Sequence, residues 1–324
     1  MRAKIILITG GTSGIGREAA ILLAKAGHQV HVASRKPPVP PMPGVAYVPL
    51  DVCSAQSIHD CVARVLAQAG KIDVLVNSAG IVGPVGASEE VALGDVRALF
   101  ETNFFGVVQI VNAVLPGMRQ RRAGLIVNVS SLAGRMALPP FFGFYAASKH
   151  ALEGYSASLS SDLRPLGIRV VIVEPGCFAT NIHHTLQLPA HPLADFALER
   201  EHAAAVDGFA IRNGRDPQHV ARLISRLIDG RPLRLRYPIG ADARNNLAMG
   251  ALLPERVTEV LMRWLLLGGR PVKLADDDQT LGRKLGFRRY LLDSRVADLL
   301  MAGSVILGIV ILVIGFAVMG RLAG

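Results

Sequence analysis

Short apolar runs alternate with helix-length stretches from residue 3 to about residue 175. The first run, "KIILIT" (4–9), ends in glycines. "REAAILLAKAG" (17–27) follows with helical spacing of its apolar positions and a stop at Gly27. "QVHVAS" (29–34), "VAYVPL" (45–50), "IDVLVN" (72–77), "GLIVNVS" (124–130) and "IRVVIVEPG" (168–176) are further short runs. Each is of the kind buried on both faces of a parallel sheet. Helix-length segments at 55–69, 89–116 and 144–165 lie between most of them. Such alternation, closed by right-handed crossovers, predicts an α/β fold: a doubly wound parallel sheet of the Rossmann type. One link breaks the rhythm. "KPPVPPMPG" (36–44) has four prolines in its first six residues, which forbids a normal helix and predicts a compact extended loop.

A different pattern closes the chain. Residues 299–319, "LLMAGSVILGIVILVIGFAVM", carry no charge. At 1.5 Å per residue this run spans about 31 Å, one hydrocarbon core. It predicts a single membrane-spanning helix near the C-terminus, within 296–320. The alternative, a core helix, rarely stays apolar on all sides for this length. Arg283, Lys284, Arg288, Arg289 and Arg295 precede the run and only Arg321 follows it, which places the rest of the chain on the cytoplasmic side. Residues 256–269 mix an apolar face with arginines and a tryptophan. That helix either lies in the membrane interface or packs on the core. The predicted organisation is a catalytic domain over 1–245, a basic, partly amphipathic helical extension over 246–295, and the membrane helix.

Composition agrees with an anchored protein. Hydrophobic residues make up 51% of the 324, and the mean hydropathy is +0.38. The net charge of +10 is concentrated between residues 212 and 295, which hold 17 Lys and Arg against 9 Asp and Glu. No zinc-finger spacing or RNA-binding aromatic signature accompanies them, so an anionic membrane surface is preferred over nucleic acid. The N-terminus shows no signal-peptide pattern. Cys53, Cys61 and Cys177 lack metal-ligand spacing and are read as reduced packing residues; no metal site is expected. "ADDDQ" (275–279) is a solvated turn.

Two stretches carry chemistry. In "FYAASKHAL" (144–152), Tyr145 and Lys149 stand four apart, on one helix face. A cation one turn from a phenol favours the phenolate and suits it to proton transfer near neutral pH. In "ITGGTSGIG" (8–16), Gly10, Gly14 and Gly16 permit a tight turn, a close backbone approach and close helix packing. The first helix then aims its N-terminus at a pyrophosphate.

Taken together, the motifs resemble those of the short-chain dehydrogenase/reductase family. They are "TGGTSGIG" at 9–16, "DV" at 51–52, "NSAG" at 77–80, Asn103 in "TNFFG", Ser131 in "NVSSLAG", "YAASK" at 145–149 and "PGCFAT" at 175–180. Ser78 departs from the family's usual second asparagine, and the 14-residue step from Ser131 to Tyr145 is long for it. The resemblance implies Tyr145 as acid/base and Lys149 as the residue that lowers its pKa and binds the nicotinamide ribose. It implies Ser131, rather than Ser130, as the donor to the substrate oxygen, and Asn103 as the holder of a relay water. It implies a dinucleotide on Gly10, Thr12, Ser13, Gly14, Ile15 and Gly16. Asp51 and Val52 are expected at the adenine, Asn77, Ala79 and Gly80 beside the cofactor, and Pro175, Gly176 and Thr180 near the carboxamide. The second strand ends in Ser34, Arg35 and Lys36 with no carboxylate, which favours NADP(H) over NAD(H). The expected activity is NADP(H)-dependent interconversion of a carbonyl and a secondary alcohol. The expected substrate is lipophilic, of the steroid, retinoid or long-chain keto-lipid type. Residues 181–212 are expected to form a lid and "FFGF" (141–144) an apolar wall, and the family's habit of pairing through two long helices implies self-association. Two rivals stand beside this reading: a non-catalytic dinucleotide sensor or scaffold, and an enzyme on soluble substrates anchored only for location.

Overall fold

The computed structural model describes residues 3–136, 141–197, 200, 203, 214–230 and 234–252. Seven strands form one parallel sheet: β1 (Ile5–Thr9), β2 (Gln29–Ser34), β3 (Val45–Pro49), β4 (Val74–Asn77), β6 (Gly124–Val129), β7 (Ile168–Pro175) and β9 (Arg236–Ile239). Their order is β3-β2-β1-β4-β6-β7-β9, so the winding reverses between β1 and β4. In such sheets the crevice at the carboxyl ends of the two central strands is where ligands bind. A small second sheet pairs β5 (Gly83–Pro84) with β8 (Leu186–Gln187).

Helices cover both faces. Helix α1 (Gly14–Lys25) and α6 (Gln218–Asp229) lie on one side, where Ala19, Leu23, Val220 and Ile224 meet Ile6, Ile8 and Val76. Helices α2 (Ala55–Ala69), α4 (Gly106–Arg121) and α5 (Gly143–Leu163) lie on the other, where Ile58, Val65, Ile110, Met118 and Leu152 meet Leu7, Leu75 and Ile126. The continuous apolar runs of the sequence follow from this two-sided burial. The proline-rich link from residue 36 to 44 contains no helix, in agreement with its composition. It leads into β3, the outer strand on that side, which ends in Pro49.

The segment 89–116 differs from a single expected helix. It starts with a short 3-10 turn at Ser88–Glu90, resumes as α3 (Leu93–Phe100), widens into a π turn at Glu101–Phe105, and continues as α4. From Leu93 to Arg121 it is long and apolar enough to cross a membrane, but Leu99, Ile110, Val111 and Met118 are buried in the core of the fold. The expected membrane helix at 299–319 and the segment 256–269 lie outside the described residues. The remaining described helix, α7 (Ala241–Leu252), follows β9.

Candidate active site

The motifs meet at the carboxyl end of the sheet. Gly10 leaves β1 at a φ of 64°, and a methyl there would lie 2.8 Å from the backbone of Ala79. A methyl on Gly16 would lie 2.6 Å from Gly10 O. These contacts tie the loop 10–16 to the end of β4 and to the start of α1. Thr9 Oγ1 accepts from the backbone N–H groups of Ser78 and Ala79 at 3.2 and 3.3 Å. At the head of α1, Ser13 makes no capping bond and the first turn contains no acid. Its free N–H groups and positive dipole end remain open to an anion. Thr180 lies over this loop: a methyl on Gly14 would be 3.2 Å from its Cβ.

The end of β2 is linked to the same loop. Thr12 Oγ1 donates to Ser34 Oγ at 3.2 Å, and Ser34 Oγ to Lys36 O at 2.6 Å. Arg35 and Lys36 are exposed there. Asp51 closes a turn by accepting from Cys53 N at 3.0 Å. Val52 is packed under α4, since a methyl on Gly106 would lie 2.7 Å from Val52 O. On the opposite flank, Pro175 ends β7. A methyl on Gly176 would run into the Asp242 carboxylate, which accepts from Cys177 N.

Two polar side chains, Asn103 and Lys149, meet beside Gly80. Asn103 sits in the π turn, fully buried. It donates to Ile81 O at 2.9 Å and to Ser148 Oγ at 3.1 Å, and accepts from Ile81 N at 2.9 Å. A methyl on Gly80 would lie 3.4 Å from Asn103 Oδ1 and 3.6 Å from Lys149 Nζ. Lys149 Nζ donates to Val129 O at 3.3 Å and stands 5.9 Å from the centroid of the Tyr145 ring. The Ser131 side chain acts on the Tyr145 phenol. Ser130 instead points inward, buried beneath Gly134.

Burial pushes the Tyr145 phenol above its ordinary range, and the Ser131 side chain partly opposes this. Burial lowers Lys149 to about 8, with the Glu153 charge pulling the other way.

Sequence reasoning missed the buried amide ladder behind the site. Asn77 donates to Asn128 at 2.8 Å, and Asn128 to Ser156 at 2.8 Å. The available signal was an asparagine inside the otherwise apolar run "GLIVNVS". It also missed Glu90, which ties residues 87, 193 and 200 together. Glu90 accepts from Ala87 N at 2.9 Å and Leu193 N at 2.7 Å, and pairs with Arg200. Val82, Val85, Phe142 and Ala203 form an apolar cluster, with Phe141, Ile182 and Leu186 packed against it.

Residues 4–189 match the family model of the short chain dehydrogenases. The chain belongs to this family. It is 43% identical over 180 residues to 3-ketodihydrosphingosine reductase of Bacteroides thetaiotaomicron, covering 56% of this chain and 66% of that one. It is 37% identical to retinol dehydrogenase 8 of Bos taurus, over 72% of this chain and 81% of that one. A solved short-chain dehydrogenase from Streptomyces avermitilis superposes with a TM-score of 0.69 at 34% identity, covering 81% of this chain and 96% of that one. The protein is therefore an enzyme that interconverts carbonyl and alcohol groups and binds a nicotinamide dinucleotide. The glycine cradle and the uncapped α1 terminus fit that group.

Proposed function

We propose that the protein is an NADP(H)-dependent reductase of lipophilic ketones or aldehydes, held at a membrane. The observation that carries the reading is that Lys149 Nζ and Asn103 Oδ1 both reach the space over Gly80, with the Tyr145 ring centroid 5.9 Å from Nζ. When bound, the nicotinamide supplies or accepts the hydride. The chain's own residues handle the oxygen and its proton. Ser131 donates to the substrate oxygen and stabilises the charge that develops there. Tyr145 gives that oxygen its proton. The phenol is protonated near neutral pH and can serve as the proton donor in reduction. Lys149 holds the cofactor ribose and offsets charge on the phenolate after transfer. Asn103, fixed by three hydrogen bonds, positions the water that returns the proton.

Support for NADP(H) comes from Arg35 and Lys36, which stand exposed at the end of β2 beside the glycine loop. A guanidinium fork suits a 2′-phosphate. Support for a lipophilic substrate comes from Val82, Val85 and Phe142 and from the relatives named for a ketosphingoid and for retinol. Membrane attachment rests on the uncharged run 299–319.

The test is direct. Detergent-solubilised protein is incubated with NADPH, or separately NADH, and 3-ketodihydrosphingosine, retinal, a steroid ketone or a short soluble ketone. Reduction of a long-chain or polycyclic carbonyl with NADPH is expected, and lipid alcohols are read by mass spectrometry. Efficient turnover of the short ketone alone would refute the lipophilic reading.

A further inference from the structure

Asp242 stands in the first turn of α7, just past β9. An acid at that position ordinarily serves its own helix by facing the positive dipole end. This one reaches across to the exit of β7. Its Oδ2 accepts from Cys177 N, while its buried Oδ1 meets no hydrogen-bond donor among the described residues. Two glycines make room for the carboxylate. A methyl on Gly176 or on Gly240 would collide with it. Gly240 also holds a φ of 108°, open to glycine and strained for other residues.

The loop 176–180 that Asp242 grips is braced from two further directions. Gly176 N donates to Ile239 O of β9 at 3.0 Å. Ala179 N donates to Arg215 O at 2.9 Å, and Arg215 N to Cys177 O at 3.2 Å. These are neutral backbone pairs, whereas the bond to Asp242 has a charged acceptor and is of the stronger kind. Phe178 is buried in the core that α1 and α6 share with the sheet. At the far end of the loop, Thr180 lies over the glycine loop, with its Cβ 3.2 Å from where a methyl on Gly14 would stand. Through one backbone amide, the carboxylate thus acts on a loop that abuts the dinucleotide cradle.

We propose that Asp242 is a positioning residue for the nicotinamide half of the cofactor: its carboxylate anchors the loop 176–180 by the Cys177 amide and so fixes where Thr180 is presented to the carboxamide. The inference rests on the reading of this loop as the nicotinamide side of the site. Asp242 does not touch the reacting atoms and acts through the backbone alone. The arrangement requires an acceptor oxygen opposite Cys177 N rather than negative charge as such. Asparagine can therefore stand in for the aspartate, and alanine cannot.

The detergent-solubilised full chain is compared as wild type, Asp242→Asn and Asp242→Ala. Fluorescence titration gives the affinity for NADPH and, by competition, for 2′-phospho-ADP-ribose, which lacks only the nicotinamide. Should the wild type prefer NADH, then NADH and ADP-ribose replace this pair, so the outcome is independent of the phosphate reading. Asp242→Ala should weaken NADPH about tenfold, the scale of one hydrogen bond to a charged group, and 2′-phospho-ADP-ribose less than about twofold. Hydrogen–deuterium exchange of residues 176–180 in the cofactor-free protein should quicken in the same variant. Asp242→Asn should stay close to wild type in every readout. Equal losses for both ligands in Asp242→Ala would mark general structural damage and overturn the proposal. An unchanged NADPH affinity there, or an Asn variant as weak as the Ala variant, overturns it equally. Should Asp242→Ala not fold, Asp242→Ser, whose oxygen stands one bond short, takes its place with the same expectations. Unchanged NADPH affinity in Thr180→Ala would defeat the reading of the loop itself. A weakened Thr180→Ala beside an unaffected Asp242→Ala defeats only this inference.

Discussion

Tyr145 is half-buried and raised in pKa by its surroundings. Tyr145→Phe keeps the ring and removes the proton. Turnover should drop at least about a hundredfold, the scale of general acid catalysis, while NADPH binding measured by fluorescence stays near wild type. Arg35→Asp should weaken NADPH about tenfold or more and leave NADH little changed, because it replaces a phosphate partner with a repelling charge. Glu174 permits a prediction with a fixed sign. Burial first, then the Glu153 charge, raises its carboxyl from 4.5 to about 7 against the pull of Arg135 and Arg236. A folded pKa above the unfolded one means that stability falls as pH rises through that interval. Glu174→Gln should therefore raise the melting temperature at pH 8, by an amount worth on the order of 2 kcal/mol, and give no gain at pH 4. Tyr145, Lys149 and the glycines were legible because their spacing is itself the signal. Glu153, Glu174 and Asn128 were not. A lone polar residue in an apolar run reads as noise until the partners arriving from β9, α5 and the Ser131 turn are known.

At the level of elements, the strands β1, β2, β3, β6 and β7 begin within a residue of their apolar runs, and α2 coincides with 55–69. These fit because both faces of the sheet are buried, so composition alone marks the strand. The break from α3 through the π turn to α4 was not legible. It depends on Asn103 reaching Ile81 and Ser148, which are far apart in sequence. Strand β9 was missed as well, since "RYPI" is short, half-exposed and holds a proline. The bend matters for the cofactor side. Gly106, the first residue of α4, leaves no room for a methyl against Val52 O. Gly106→Ala should cost about 1–3 kcal/mol of stability through overpacking. It should weaken NADPH binding more than substrate binding, because the displaced loop carries Asp51 and Val52. Calorimetric melting and cofactor titration on one preparation separate the two effects.

For the whole molecule, length and charge in the C-terminal run make independent claims. Full-length protein should stay in the membrane pellet after high salt and alkaline carbonate and require detergent for release. Truncation after residue 294 should leave a protein that remains in the supernatant at high salt. Release of the intact chain by carbonate would refute the anchored reading, and release of the truncated form only at high salt would place 256–269 at the surface. The two outermost strands of the sheet bear on a separate matter, how the protein avoids coalescing with its own kind. Each carries a proline in register with its inner neighbour: Pro49 opposite Ser34 on β3, and Pro238 opposite Glu174 on β9. A proline has no N–H to offer, so a foreign strand laid along either border meets an interrupted ladder. The sheet is thereby guarded against growth at both margins, and misassembly by edge-to-edge stacking is disfavoured by the strands themselves.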